Sequence, residues 1–144
     1  HSFPTRRSSD LMNFIDSQVV EAGGGLALKF GSTVLGLNPA KSDALRAGGY
    51  VGKTVVAGIR PEDVYEDGDP AEGKTLSDVF TANVSVFELL GASSMVYGEV
   101  ETGDTISASL SAATSARAGT VAKLRLDLDK LHLFDKETEL AIVH

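Results

Sequence analysis

From Met12 onward, apolar and polar residues alternate with a period of two along much of the chain, as strands with one buried face require. Such runs predict strands over residues 17–22, 26–30 and 33–37, the last two joined as a hairpin across Gly31 and Ser32. A short helix is expected over 39–46, opened by Pro39 and closed by Gly48-Gly49. Residues 53–60 alternate cleanly, with Val55, Ala57 and Ile59 on one face and Val56, Gly58 and Arg60 on the other. Pro61 ends that strand because it has no N–H to give a ladder. Further strands are predicted over 79–90, 95–101, 105–110, 120–126 and 132–134, with one helical turn over 127–131. Short strands at this spacing point to small all-β barrels.

The chain divides most naturally at its Gly-, Asp- and Pro-rich stretch, placing one unit at 12–65, a linker at 66–76 and a second unit at 77–144. The C-terminal strand has the option of packing on the first unit. Residues 54–64 (TVVAGIRPEDV) and 121–131 (VAKLRLDLDKL) echo each other, each an alternating strand running into an acidic turn that ends on an aliphatic residue. The first eleven residues, HSFPTRRSSDL, share neither period and resemble translated adapter sequence, so an extraneous leader is expected there. Arg6-Arg7 is not followed by the apolar run of an export signal.

Charge narrows the function. From Met12 on, 11 Lys and Arg stand against 19 Asp and Glu, a net charge of −8 that repels nucleic acid and anionic membranes. No apolar stretch approaches the roughly 20 residues of a membrane-spanning helix. The absence of Cys removes thiolate nucleophiles, disulfides and cysteine zinc sites.

The catalytic candidates are poor. AGGYVGKT at 47–54 imitates a phosphate-binding loop, but Ala47 replaces its first Gly and a β-type run follows where a helix must start. His132, between Leu131 and Leu133, is the one histidine away from the termini, with no second imidazole at metal-ligand spacing. The acidic clusters 62–63 and 66–69 read as solvated turns and lack calcium-loop spacing. Neither catalytic nor metal-ligating residues are expected.

Four segments, MNF at 12–14, GIRPE at 58–62, ANVSVFELLG at 82–91 with Val96-Tyr97, and LHLFD at 131–135, resemble in order the C-terminal regions of ATP-binding subunits of carbohydrate ABC importers, of the maltose and glycerol-phosphate type. The resemblance implies two small OB-fold-like barrel units of the TOBE, or molybdate-binding-protein-like, kind. It implies a regulatory, dimer-stabilising part that is not itself an enzyme and holds no cofactor, ATP and Mg belonging to an N-terminal domain. Its partners would be a second copy of the subunit and a regulatory protein, at the cytoplasmic face of the cell membrane without inserting into it. Arg60, Pro61, Glu62 and His132 carry over as structural markers, with Arg60 and Glu62 free to fix their turn through a charge-assisted bond. The alternatives are a small-oxyanion site and an OB-type nucleic-acid binder; the second needs a basic groove that a charge of −8 does not offer.

Overall fold

The computed structural model describes residues 12–143, so the leader expected at 1–11 lies outside the described residues. Among the described residues the architecture is all-β with one α-helix, and the OB-fold character expected is present. The first strands are β1 (Asn13–Ala22), β2 (Gly25–Phe30) and β3 (Thr33–Gly36), followed by α1 (Pro39–Ala47) and β4 (Thr54–Ile59). A 3-10 turn at Pro61–Asp63 leads into β5 (Val64–Glu66), and the chain then builds β6 (Phe80–Leu89), β7 (Ser93–Glu99), β8 (Thr105–Ser111) and β9 (Val121–Leu126). A second 3-10 turn at Leu128–Lys130 precedes β10 (His132–Asp135) and β11 (Ala141–Val143).

These strands form a six-stranded sheet, β11-β10-β4-β1-β2-β3, and a five-stranded sheet, β5-β9-β6-β7-β8. In the second sheet β8 returns beside β5 and nearly closes a barrel. The second sheet is one continuous piece of chain, β5–β9, inserted between β4 and β10 of the first, so the boundary expected at 66–76 does not separate the sheets. β5, placed by sequence in the first unit, pairs with β9 (Val64 opposite Leu126), while β10 returns from the second unit to pair with β4 (His132 opposite Gly58).

This exchange realises the internal echo. β4 and β9 each run into a 3-10 turn whose first residue, Pro61 or Leu128, is buried. Each turn closes on a buried aliphatic residue, Val64 or Leu131, whose N–H donates to the carbonyl of that first residue. The two turns are themselves tied, the Asp127 N–H donating to the Asp63 carbonyl at 3.0 Å. A single apolar core therefore runs through both sheets, from Ile15, Val19 and Leu28 to Phe80, Val96 and Leu124. At the join, the rings of Phe30 and Phe80 meet edge to face at 6.1 Å.

Polar ties supplement the join. Asn13, 6% exposed, points inward from β1: its Nδ2 donates to the Ser107 carbonyl at 2.8 Å, and its Oδ1 accepts from the Ser107 N–H at 2.7 Å. The carboxamide thus replaces a missing neighbour strand at the edge of β8. Glu101 reaches across to the β2–β3 turn, where its carboxylate accepts from Ser32 Oγ at 2.9 Å and Thr33 Oγ1 at 2.6 Å. Gly31 is required beneath it, because φ is +66° and a Cβ would stand 2.5 Å from Glu101 Cδ.

Candidate functional site

The sequence-marked residues converge where β10 joins β4. Arg60, half-buried, directly follows β4, and its Nη1 lies 3.4 Å from His132 Nε2 on the neighbouring strand. A guanidinium can only donate, so the imidazole nitrogen facing it accepts. The His132 ring in turn stacks on Phe134 at 6.4 Å and 27°. The charge-assisted bond expected between Arg60 and Glu62 is not formed: the guanidinium turns to the imidazole, and Glu62 is exposed. The turn is set instead by buried Pro61 and by the Asp63 N–H donating to the Arg60 carbonyl at 2.9 Å.

Gly58 forms the floor of this site. A Cβ there would stand 3.0 Å from both Met12 Sδ and Phe134 Cε2, and 3.4 Å from Phe14 Cε1. The rings of Phe14 and Phe134 close over the gap at 6.0 Å. MNF, GIRPE and HLFD, distant in sequence, are thus one packed cluster on the outer face of the first sheet. Gly58→Ala is expected to cost about 1–3 kcal/mol through overpacking. A denaturant titration checks this, and an unchanged midpoint would mean the three side chains are not held there.

One turn further along β10, Asp135 binds its own loop. Its Oδ1 accepts from the N–H groups of Thr138 and Glu137, each at 2.8 Å, and its Oδ2 from the Tyr50 hydroxyl at 2.7 Å. The Thr138 N–H and then the Tyr50 hydroxyl hold this carboxyl down to about 2. Because the folded-state pKa is depressed, the stabilisation is complete above the ordinary Asp value and is lost as pH falls from about 4 towards 2. Tyr50→Phe removes one donor and is expected to raise the Asp135 midpoint, which a carboxyl NMR titration would read directly.

The junction of the two 3-10 turns is also charged. Burial raises the Asp63 carboxyl, helped by Glu62 and Asp127 nearby. Buried Lys41 on α1 is lowered by desolvation, against the opposing pull of Asp129 and Asp127. Among the described residues no group of three or more His, Cys, Asp or Glu is placed to hold a metal ion.

The phosphate-loop imitation is spent on the fold. The N–H of Gly48 donates to Ala44, that of Gly49 to Arg46, that of Tyr50 to Leu45 and that of Gly52 to the Val19 carbonyl. Lys53 Nζ lies over the Tyr50 ring at 5.9 Å, and the next residues are strand β4. No helix N-terminus follows to receive a phosphate. The groove between β5 and β8 carries Glu66, Asp67 and Asp69, a lining that disfavours an oxyanion.

Comparison with known proteins accords with this geometry. Residues 11–64 match the MalK OB fold domain and residues 57–134 the TOBE domain. The overlap of the two matches covers β4's end, the first 3-10 turn and β5's start, where the strands exchange. The oligosaccharides import ATP-binding protein MsmX of Bacillus subtilis is 36% identical over 134 residues, covering 93% of this chain and 35% of that protein. The trehalose/maltose import ATP-binding protein MalK of Thermococcus litoralis is 35% identical over 91% of this chain and 34% of its own length. The sn-glycerol-3-phosphate import ATP-binding protein UgpC of Chromobacterium violaceum is 35% identical over 92% of this chain and 32% of its own length. The chain therefore spans about a third of the length of the curated relatives it matches. In fold alone it is similar to the cytoplasmic molybdate-binding protein ModG, solved with molybdate bound, with a TM-score of 0.59 and 16% identity over 84% of this chain and 94% of that one. Taken with the strand exchange and the packed motif cluster, these matches show that the chain belongs to the TOBE-domain family, joined to a MalK-type OB fold as in the ATP-binding subunits of sugar ABC importers.

Proposed function

We propose that this chain is the regulatory and dimer-stabilising part of the ATP-binding subunit of a sugar ABC importer. ATP and Mg are handled by polypeptide outside it, and the chain itself performs no chemistry. The observation that carries this reading is the alignment of nearly the whole chain with about a third of an oligosaccharide importer's ATP-binding protein. The packed outer cluster supports it, because there Arg60, Pro61 and His132 shape the fold and do not assemble a nucleophile with its base.

The mechanism is one of packing. A body held rigid by exchanged strands keeps its outer surfaces at fixed spacing, so a contact made on one surface constrains the rest. A second copy, or a regulatory protein, that prefers one arrangement of the subunits shifts transport by its difference in affinity, about 1.4 kcal/mol per tenfold. The setting is the cytoplasmic face of the cell membrane. No helix among the described residues is long and apolar enough to cross a membrane.

A chimera tests the reading. The matching third of the Bacillus subtilis relative is replaced by this chain, and oligosaccharide uptake is measured. Uptake within about tenfold of the parent is expected; a chimera that accumulates and hydrolyses ATP but does not transport contradicts the reading. The fold likeness to a molybdate-binding protein favours one alternative, small-oxyanion binding. The acidic groove between β5 and β8 weighs against it, so calorimetric titration with molybdate or sulfate is expected to give no binding heat.

A further inference from the structure

We propose that the outer face of the second sheet, centred on Val86, Tyr97 and Val121, is where a second copy of this chain docks. This rests on the dimer-stabilising reading above and assigns that role to one surface. Cross-strand register puts these side chains together: Val86 lies opposite Tyr97, Glu88 opposite Met95, and Asn83 opposite both Val121 and Glu99. The bulge between Val84 and Val86 keeps Ala82 and Val84 inward while turning Asn83 and Val86 outward.

This face should be polar if water were its only neighbour, since an antiparallel sheet with one solvated side alternates apolar-in and polar-out. Instead Val86 is 47% exposed and Val121 59%, and Leu90 at the hairpin tip is 57% exposed. The uncovered strip is thus a departure from that alternation.

Charge selects the occupant. Any surface bearing the chain's overall net charge of −7 repels an identical molecule, so two copies can meet only over a patch that is neutral or self-complementary. This face is both. Its centre is Val86, Tyr97, Met95 and Val121; its β9 flank carries Lys123 and Arg125, and its β6–β7 flank carries Glu88 and Glu99. In a two-fold arrangement each copy brings one cationic and one anionic flank to the other. Four strands at about 4.8 Å spacing and a ten-residue β6 at about 3.4 Å per residue span roughly 600 Å². That falls below the ~800 Å² per partner of a standard interface, so the isolated chain should dimerise weakly and reversibly.

The test uses the full chain in sedimentation equilibrium from ~10 µM to ~1 mM, where weak association of this class is populated. The wild type is expected to rise from monomer towards dimer mass. Val86→Lys and Val121→Glu, which bury charges of opposite sign at the centre, should each weaken association at least tenfold. Leu140→Glu, an exposed position in the connection between β10 and β11, should not. Far-ultraviolet circular dichroism checks that each variant is folded. The cysteine-free chain also lets Val86→Cys report proximity through a short bismaleimide, and efficient dimer capture is expected. If the wild type dimerises while both centre variants associate normally and Val86→Cys is not captured, this face is wrong and the dimer reading stands. A wild type monomeric at ~1 mM overturns both.

Discussion

Leu133→Ala is expected to lower the unfolding free energy by about 3 kcal/mol, the middle of the range for a fully buried leucine truncated to alanine. Leu133 has no exposed surface, and it sits inside the first sheet opposite Ala57 of β4 although it belongs to the last part of the chain. For a domain of this size the loss corresponds to a fall of about 10 °C in the melting temperature. The informative part is where the loss is felt. Because β10 is a strand of the first sheet, protection of the β1 and β4 amides from hydrogen exchange should fall along with that of β9. A change confined to residues 121–143 would mean that β10 is only loosely laid against the first sheet.

Asn13→Ala is the second large effect, expected at about 2–4 kcal/mol. It removes both bonds to the Ser107 backbone and leaves that N–H and carbonyl to find other partners at the edge of β8. Asn13→Asp separates the two contributions. Its carboxylate still accepts from the Ser107 N–H but faces the Ser107 carbonyl without a donor, so the variant should lose stability as pH rises through its carboxyl midpoint. Thermal melts at acid and neutral pH would show this as a widening gap from the wild type. A pH-independent gap would place the residue's contribution in packing alone.

These two residues also show what the sequence made legible and what it hid. The alternation in β2, β4 and β9 was plain because their inward positions are all apolar. β1 looked shorter, starting at residue 17, because its first inward position is Asn13 and the outward Phe14 beside it is apolar, so the period is broken there. The polar residue that obscured the strand is the one that fastens it to the second sheet. β5 and β11, three residues each, are too short to carry a period at all and were not expected.

The exchange of β5 and β10 was hidden for a different reason. Pairing of Gly58 with His132 spans most of the described chain, and nothing local in either strand names its partner. The option of the C-terminal strand packing on the first unit anticipates β10, and the echo between 54–64 and 121–131 is a trace of the turns that send both strands across. At the site, resemblance marked Arg60 and His132 but not their contact. Glu62, adjacent in sequence, looked the natural partner for Arg60, and burial geometry directed the guanidinium elsewhere. The glycine floor at Gly58 was legible as an outward-facing position, yet only the three side chains above it explain why it carries no Cβ.

Native-state hydrogen exchange across a denaturant series tests most directly whether two sheets sharing one core form one cooperative body. The slowest amides of β1 and β4 and those of β6 and β7 should converge on a single opening free energy. Two plateaus differing by more than about 1.4 kcal/mol, a tenfold difference in opening, would mean that the units open separately and that the exchanged strands do not join them.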